Sequence, residues 1–395
     1  SSSKIVKENL KKNGFSLKQA KGFQKKRQML IGKFKSTSKK KLGNGREKIG
    51  IIGAGIAGCS LARILSLRGY EVTLFEKKSE VVGGSSGNKA LVLYPRLSAF
   101  ETPFAYFSLH SYLYSIKFYD EIGKPFWNKT GVLVLDYDQR SYKKNQSLLS
   151  IRNDSKIFRK VNANEASSIA GIELSSEGLY FPNAGWIDPL GICNFMLEND
   201  LKIKIIKGEK IKLIKKEKKY ELSSAKEKYE FDVVCLCSSY ETKDLINLEG
   251  IIKKRGQVTY LQDNKILKNL KVPICAKGYI SPTSEEVKIL GSTYNNKEGK
   301  EVSLEDNNEN LQKLKSITSK KMSVVGQQAG FRSTTLDHLP LAGSFQNVYF
   351  SICHGSKGSI SAPICAQFIC DLISKSPPIF DETISQALNP GRFMV

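Results

Sequence analysis

The chain has 395 residues, of which 40% are hydrophobic and 25% charged, a composition typical of a globular protein with room for two domains. It has no apolar run of about 18 residues and no apolar segment after its basic N-terminus, so we expect no membrane span and no secretory signal. The net charge of +24 excludes an acidic protein and favours a polyanionic partner such as nucleic acid. Only 11 of the 62 basic residues are Arg, however, and a Lys-, Ile- and Asn-rich composition typical of AT-rich genomes explains the same charge.

Eight cysteines are scattered through apolar runs without the spacing of metal ligands. Cys235 and Cys237 lie two residues apart in the run VVCLC, which predicts a buried strand with both sulfurs on one face. We interpret all eight as reduced core residues of a cytoplasmic protein rather than as disulfides or metal ligands.

Residues 1–47 form a basic leader, because residues 1–48 hold sixteen Lys and Arg against two Glu. KIVKENLKKNGFSLKQA has partly helical spacing, GFQKKRQMLIGKF indicates a loop and a strand, and STSKKKLGNGREK is typical of a polar linker. The leader is too short for a core of its own, so we interpret it as a tail, a linker or the remnant of a preceding domain.

A β-α-β unit is predicted from Lys48 onward. IGIIGAG indicates an apolar strand that runs into glycines, IAGCSLARILSLRG a helix that ends at Gly69, and EVTLFE a second strand. Further helices are expected in FETPFAYFSLHSYLYSIKFYDEIG and NANEASSIAGI, with a strand in GVLVLDYD between them.

The second half of the chain is predicted to be rich in strands. Residues 201–237 have the short alternation of a meander that feeds the strand VVCLC, and GQVTYLQ, ICAKGYISPT and KILGSTYN indicate further strands. NVYFSICHGSKG then predicts a strand with a glycine turn, followed by the helix ISAPICAQFICDLIS.

Gly53, Gly55 and Gly58 form a G-x-G-x-x-G motif between the first strand and helix of the β-α-β unit. The first glycine allows a tight turn, the second lets the backbone approach a pyrophosphate, and the third lets helix and strand pack closely. Glu76 follows Gly58 by eighteen residues, where a carboxylate can accept both hydroxyls of an adenosine ribose. The pattern predicts a dinucleotide site, and the alternative is a glycine-rich turn without a ligand.

This unit alone does not separate NAD from FAD. The last third of the chain offers a second strand, glycine turn and helix, in which Gly355 and Gly358 can meet the polar end of a flavin ring. Two distant segments that converge on one long cofactor favour FAD.

These residues resemble the D-amino-acid oxidase (DAO) flavoprotein superfamily from Lys48 to the end of the chain. The resemblance rests on GIIGAGIAG…LFEK, GFRSTTLDHLPLAG and CHGSKGSISAP. It implies an α/β (α+β) fold, with a Rossmann-like FAD-binding domain of glutathione-reductase type and an inserted antiparallel-sheet substrate domain. We expect the FAD-binding domain in residues 48–95, 185–245 and 327–395, and the substrate domain in residues 96–184 and 246–326.

Within that superfamily, the chain resembles the FAD-dependent C-terminal half of the MnmC family, bacterial bifunctional proteins that make 5-methylaminomethyl-2-thiouridine in tRNA. The matching blocks are SSGNKALVLYPRLS, AGWIDP, GYISP and ALNPGRF, and the first adds Ser86, Gly87 and Asn88 to the expected cofactor-binding residues. The leader resembles the end of the methyltransferase domain that precedes the oxidoreductase there, and we expect no methyltransferase activity from it.

The resemblance implies an FAD-dependent oxidoreductase that acts on the wobble uridine in the anticodon loop of tRNA. It would oxidise the N-substituted glycine of 5-carboxymethylaminomethyl-(2-thio)uridine and leave 5-aminomethyl-(2-thio)uridine and glyoxylate, and a methyltransferase domain or protein would act on the product. One alternative is an oxidase of free glycine, sarcosine or D-amino acids, and another is an RNA-binding remnant without flavin.

Arg332 is the expected anchor for the substrate carboxylate, because a planar guanidinium can form two parallel hydrogen bonds with it. The alternative is an internal ion pair with Asp337 or another acid. Tyr279 is either a hydroxyl near the substrate or a core residue. His338 and His354 are expected to contact the backbone or a phosphate rather than to act as bases.

Three features depart from the superfamily pattern. Ser238 and Ser239 stand where a small residue and a glycine are usual, and Arg96 stands where an apolar residue is expected. No cysteine immediately precedes Arg332, where some sarcosine oxidases attach their flavin, so we expect FAD to be bound non-covalently.

Overall fold

A computed structural model describes residues 3–22, 27–34, 47–84, 86–151, 154–198, 202–217 and 219–393. The α-helices in this part are α1 (Lys4–Lys12), α2 (Ile56–Leu67), α3 (Pro103–Asp120), α4 (Gln139–Ile151), α5 (Ala163–Ala170), α6 (Pro189–Glu198), α7 (Leu304–Leu314), α8 (Gly358–Ile373) and α9 (Glu382–Leu388). The first strands are β1 (Phe15–Lys21), β2 (Gln28–Phe34), β3 (Lys48–Ile52), β4 (Glu71–Glu76), β5 (Leu91–Leu93), β6 (Trp127–Asn128), β7 (Val132–Leu135), β8 (Arg159–Val161), β9 (Gly178–Phe181), β10 (Gly185–Ile187) and β11 (Ile203–Lys207). The later strands are β12 (Lys212–Lys215), β13 (Tyr220–Ser223), β14 (Lys228–Phe231), β15 (Val233–Leu236), β16 (Ile252–Gln262), β17 (Ile274–Cys275), β18 (Tyr279–Ser281), β19 (Val287–Gly291), β20 (Val324–Thr334), β21 (Leu341–Phe345) and β22 (Val348–Ile352).

The chain divides into two compact units, Ser1–Leu42 and Gly43–Val395. In the first unit, α1 begins after Ser3, whose hydroxyl caps the helix, and β1 and β2 form an antiparallel hairpin. The strand predicted in GFQKKRQMLIGKF is confirmed as β2. The linker predicted in STSKKKLGNGREK lies almost wholly outside the described residues, and the origin of the leader stays a prediction.

The second unit is built on a six-stranded sheet in the order β11-β4-β3-β15-β22-β21. The first five strands are parallel, and β21 pairs antiparallel with β22. The predicted β-α-β unit is confirmed as β3, α2 and β4. Because parallel strands need crossover connections, both faces of this sheet are covered.

Alternation of side chains along the strands separates two cores. Ile49 and Ile51 face the core that also contains residues of α2 and α8, whereas Ile52 faces the side covered by the antiparallel meander β12-β13-β14. Cys235 and Cys237 both belong to the helical side, as the two-residue spacing predicts. All eight cysteines are buried free thiols.

An eight-stranded sheet in the order β20-β16-β19-β18-β17-β7-β9-β8 forms the other large part of this unit. Its pairings are antiparallel except for β17 with β7. The predicted strands GQVTYLQ, ICAKGYISPT and KILGSTYN are confirmed here. β20 pairs with β16 along nearly its whole length, which brings Arg332 beside Lys254. The domain boundaries expected from the sequence stay a prediction.

None of the described helices has the length and apolarity that crossing a membrane requires.

Candidate active site

One cavity of about 910 Å³ lies where the two large sheets approach each other. Its wall includes the first residues of α2 and α8, the end of β4, and parts of β18 and β20. A volume near the upper end of the usual range for ligand sites suits a long ligand. Neither helix has an acidic residue in its first turn, so both N-termini offer N–H groups and a partial positive charge to anionic groups.

The three motif glycines have different positions relative to this cavity. Gly53 has φ of 106°, and a Cβ there would stand 2.7 Å from the carbonyl oxygen of Cys237, so only glycine fits the turn. A Cβ on Gly55 would meet only the Ser86 hydroxyl, at 3.4 Å, which leaves the backbone open to a phosphate. Gly58 does not line the cavity; a Cβ there would stand 1.9 Å from the Gly53 carbonyl oxygen, so it allows close packing instead.

Glu76 lies in the cavity wall at the end of β4. Its Oε2 accepts a hydrogen bond of 2.9 Å from the Ala54 N–H, and its Oε1 accepts one of 3.0 Å from the Lys78 N–H. These bonds fix the carboxylate beside the glycine turn, and each oxygen keeps a further lone pair for a ribose hydroxyl.

The loop after β4 contributes Ser86 and Asn88 to the cavity wall. The Ile56 N–H at the start of α2 donates weakly to Ser86 Oγ, at 3.5 Å. Gly87 is not part of the wall, and its carbonyl oxygen accepts a hydrogen bond of 2.9 Å from Gln328 Nε2. Gly87 therefore connects the loop to β20, whereas the predicted contact with the cofactor stays a prediction.

His354, Gly355 and Gly358 all lie in the cavity wall at the start of α8. The imidazole bridges the hydroxyls of Ser351 and Ser361, at 3.1 and 2.9 Å, and burial lowers the pKa of His354 to about 4. The histidine is thus neutral at physiological pH. His338 adopts φ of 60° in the turn before β21 and does not line the cavity.

Arg332 projects from β20 into the cavity wall and contacts no acid among the described residues. Its guanidinium donates to Ser292 Oγ at 2.9 Å and to the Thr293 carbonyl oxygen at 3.4 Å. Asp337, the alternative partner, instead binds Arg392 at 2.9 and 3.0 Å. Burial lowers the pKa of Arg332, as expected for a cation that has lost water without gaining a carboxylate.

Tyr279 lines the same cavity at the start of β18. Burial raises the pKa of Tyr279 to about 12, partly opposed by the nearby Arg332 charge. The phenol is therefore protonated at neutral pH and can donate a hydrogen bond to a ligand.

Lys357 is a further cation of the cavity wall, next to the start of α8, and the sequence reasoning missed it. Its ammonium lies 3.3 Å from the ring centroid of Tyr94 and donates to the Tyr94 carbonyl oxygen at 3.4 Å. Burial lowers the pKa of Lys357 to about 7, and the residue forms no ion pair with a described acid. Its position in CHGSKGSISAP was the available signal, but one lysine among 62 basic residues is inconspicuous.

Ser239, one of the departures from the superfamily pattern, adopts φ of 57° in the cavity wall. This is the left-handed conformation that favours glycine, and the Ser239 and Ser333 hydroxyls form a hydrogen bond of 2.8 Å. Arg96 is exposed, and its guanidinium lies 5.6 Å from the ring centroid of Phe104. Ser239 and Arg96, which both depart from the superfamily pattern, are therefore each accommodated by contacts with neighbouring side chains.

The cavity thus combines a glycine turn, the Glu76 carboxylate and the N-termini of α2 and α8 with two cations, Arg332 and Lys357, that form no ion pair with a described acid. The first group fits an adenine dinucleotide whose phosphates lie at a helix N-terminus. Arg332 and Lys357 can bind an anionic group. The residues present therefore fit FAD together with an anionic substrate.

Comparison with known proteins gives a consistent result. The family model of the FAD dependent oxidoreductases (DAO) matches residues 48–372. The tRNA 5-methylaminomethyl-2-thiouridine biosynthesis bifunctional protein MnmC of Legionella pneumophila (strain Corby) is 29% identical over 444 residues, covering 100% of this chain and 66% of that protein. The chain therefore spans slightly less than two thirds of the relative's length.

Solved structures share the fold at low sequence identity. Glycine oxidase from Geobacillus kaustophilus superposes with a TM-score of 0.75 at 16% identity, covering 88% of this chain and all of that one. L-proline dehydrogenase from P. horikoshii gives a TM-score of 0.72 at 19% identity, with 88% and 97% covered. The predicted fold and the predicted resemblance are confirmed.

Proposed function

Because the chain belongs to the FAD dependent oxidoreductase family, we propose that it oxidises an N-substituted glycine on the wobble uridine of tRNA. The substrate is 5-carboxymethylaminomethyl-(2-thio)uridine, and the products are 5-aminomethyl-(2-thio)uridine and glyoxylate. The resemblance to MnmC proteins, whose name states a role in tRNA modification, supports this substrate. A methyltransferase, in the same or another chain, would then act on the aminomethyl product.

The observation that carries this proposal is the unpaired guanidinium of Arg332. Arg332 is half-buried, a cation that loses water is costly unless an anion compensates it, and the described residues supply none. A substrate carboxylate provides that anion and is held by two parallel hydrogen bonds. These bonds fix the orientation of the carbon next to the carboxylate, so binding the carboxylate also positions that carbon for oxidation.

The reaction removes a hydride and a proton from the glycine unit. The chemistry that bound FAD supplies is acceptance of the hydride from the carbon between nitrogen and carboxylate. The amine proton passes to solvent as the C=N bond forms, and water then adds to this bond. Cleavage of the C–N bond releases glyoxylate and leaves the primary amine on the uridine.

Other residues of the cavity bind or orient rather than react. Protonated Tyr279 can donate a hydrogen bond to the substrate carboxylate beside Arg332. Neutral His354 holds the start of α8 through the Ser351 and Ser361 hydroxyls. Its low pKa makes it a poor base, and a neutral amine that loses a hydride needs no strong base.

We propose that FAD is bound without a covalent bond. Cys237, Cys275 and Cys353 line the cavity, but burial raises the pKa of each thiol, that of Cys275 to about 11. Attachment to a flavin requires a thiolate, which such environments disfavour. Denaturation should therefore release all of the flavin into the protein-free filtrate.

The test compares substrates on the purified FAD-loaded protein under anaerobic conditions. We expect tRNA that carries 5-carboxymethylaminomethyluridine to bleach the flavin absorbance and to release glyoxylate, with the aminomethyl nucleoside detected by mass spectrometry. Free glycine, sarcosine and D-amino acids should react much more slowly. Turnover of the amino acids alone would overturn the tRNA assignment in favour of a small-molecule oxidase.

A further inference from the structure

Lysines and aromatic rings lie near the paired ends of β16 and β20 and in neighbouring loops, on both faces of the ladder that carries Arg332. We call this surface the basic–aromatic rim and define it by seven residues: Tyr240, Lys243, Lys253, Lys254, Tyr294, Lys300 and Phe331. Five of them line the cavity itself, namely Tyr240, Lys253, Tyr294, Lys300 and Phe331. The seven residues come from segments near residues 240, 254, 297 and 331. These segments are far apart in the sequence and come together only in the folded protein.

Each lysine of the rim lies over an aromatic ring. The Lys253 ammonium is 3.9 Å from the ring centroid of Phe331 and 5.3 Å from that of Tyr240. Lys300 is 5.8 Å from the Phe331 centroid. The remaining pairs are Lys243 with Tyr240 at 5.5 Å and Lys254 with Tyr294 at 5.7 Å.

No rim lysine forms an ion pair with an acid among the residues that the structure describes. Two other lysines of the cavity wall are paired with acids, Lys77 with Glu241 and Lys210 with Asp244 at 3.9 Å. An aromatic ring attracts a cation through its quadrupole but carries no charge that could neutralise it. The rim therefore keeps four positive charges, whereas the charges of Lys77 and Lys210 are balanced by their acidic partners.

The aromatic rings distinguish the rim from an ordinary basic patch. Tyr294 is 46% exposed and follows Thr293, whose carbonyl oxygen contacts Arg332. Exposed aromatic rings beside lysines suit single-stranded nucleic acid, because bases stack on the rings while phosphates contact the ammonium groups. The carboxylates of an acidic peptide could pair with the lysines, but they would not stack on the exposed ring of Tyr294.

We propose that the basic–aromatic rim binds the single-stranded loop of an RNA, with a base stacked on Tyr294 and phosphates on Lys253, Lys254 and Lys300. Lys254 lies directly opposite Arg332 in the β16–β20 ladder, so a strand held here places a nucleotide's side group at the guanidinium. This inference rests on the proposed function and names the surface by which that function would recognise its tRNA.

The experiment measures binding of a fluorescent anticodon stem-loop RNA to the FAD-loaded protein by anisotropy at several salt concentrations. We expect Lys253→Gln/Lys254→Gln/Lys300→Gln to raise Kd at least about tenfold and to reduce the slope of log K against log salt by about 2. Tyr294→Ala should raise Kd about tenfold, whereas Tyr294→Phe, which keeps the ring, should bind like the wild type.

The matched control removes three lysines elsewhere: Lys204→Gln/Lys212→Gln/Lys215→Gln. These lysines are exposed and unpaired among the described residues, do not line the cavity, and Lys204 also lies over a tyrosine ring, 5.6 Å from the Tyr229 centroid. The control loses the same charge, so a general electrostatic effect would weaken RNA binding equally in both variants. Equal weakening would overturn the proposal, as would a Tyr294→Ala variant that binds as tightly as Tyr294→Phe.

Two further measurements separate this inference from the proposed function. The ratio of kcat/KM for tRNA to kcat/KM for the free 5-carboxymethylaminomethyluridine nucleoside should fall about tenfold in the rim variant and stay unchanged in the control. If the wild type turned over neither substrate, the proposed function would be contradicted. The anisotropy measurement would still test whether the rim binds RNA. Poly-glutamate that competes with RNA as strongly as RNA itself would overturn the assignment to RNA.

Discussion

The guanidinium of Arg332 lies against Gly256 on the neighbouring strand, where a Cβ would stand 2.4 Å from Nη1. Residues 256 and 330 face each other in the β16–β20 ladder, and both are glycines. The absent side chain at residue 256 thus creates the space in which the cation lies flat. Ser292 and Thr293 then fix the guanidinium from the other side.

Gly256→Ala is expected to displace the guanidinium without unfolding the protein, because the new methyl group meets the flexible end of a side chain. We predict a fall in kcat/KM of about 10- to 100-fold with an almost unchanged Tm. Steady-state kinetics and thermal melting measure the two effects. Gly326→Ala on β20 is the control, since its Cβ would meet Tyr260 at 3.3 Å rather than Arg332. Normal kinetics in Gly256→Ala would show that the position of the guanidinium is unimportant.

Arg332→Met should reduce activity and increase stability. Loss of a charge-assisted pair with the substrate is expected to lower kcat/KM about 100- to 1,000-fold, or roughly 3–4 kcal/mol, while FAD stays bound. Removing a half-buried cation that forms no ion pair with a described acid should raise the free energy of unfolding by about 1 kcal/mol. Denaturant titration and flavin absorbance measure stability and cofactor content.

The matched control for this variant is Arg392→Met. Arg392 is bound to Asp337, so its removal leaves a carboxylate without its partner and should lower the free energy of unfolding by about 1–3 kcal/mol. The free energy of unfolding should therefore rise in Arg332→Met and fall in Arg392→Met. This difference in sign distinguishes a substrate anchor from a structural ion pair. A destabilised Arg332→Met would contradict the anchor role.

Glu76→Ala should weaken FAD binding. The change removes the acceptor for the Ala54 and Lys78 N–H groups and the expected acceptor for the ribose hydroxyls. We predict an increase of about 10- to 100-fold in the Kd for FAD, measured by flavin fluorescence during titration of the cofactor-free protein. Glu80→Ala is the control, because Glu80 is exposed and pairs with Lys207 at 3.3 Å. Unchanged FAD affinity in Glu76→Ala would place the adenosine elsewhere.

Lys357 should make stability depend on pH. Burial lowers the pKa of Lys357 to about 7 from the ordinary lysine value of 10.5, so between these values the unfolded chain binds a proton that the folded chain does not. The free energy of unfolding of the cofactor-free protein therefore rises with pH across this window, by less than about 1.4 kcal/mol per pH unit, and the full cost of the buried charge applies below pH 7.

The measurement compares Lys357→Met with the wild type by urea denaturation from pH 6 to pH 10. The variant should be more stable at pH 6, and its advantage should shrink towards pH 10. Lys277→Met serves as the control, since it removes an exposed lysine from the same cavity wall. A difference that does not change with pH would mean that Lys357 keeps its ordinary titration in the folded protein.

The sequence by itself determined the β-α-β unit, whereas the residues expected to meet a dinucleotide stay a prediction. Strand alternation, helix periodicity and the spacing of Gly53, Gly55 and Gly58 are local properties, and β3, α2 and β4 formed where they predicted. The two-residue spacing of Cys235 and Cys237 is also a local property, and it placed both side chains on one face of a strand. Such features depend on backbone geometry over a few residues, which the sequence specifies directly.

Only the tertiary structure decided the partner of Arg332. In the sequence Asp337 lies five residues away, yet it pairs with Arg392, 55 residues further on, while Arg332 reaches Ser292 and Thr293. Burial of Lys357 beside Tyr94 and assembly of the rim likewise depend on packing between segments that are far apart in the sequence. The free energy of an ion pair depends on distance and burial, and long-range packing sets both, so no local pattern could reveal them.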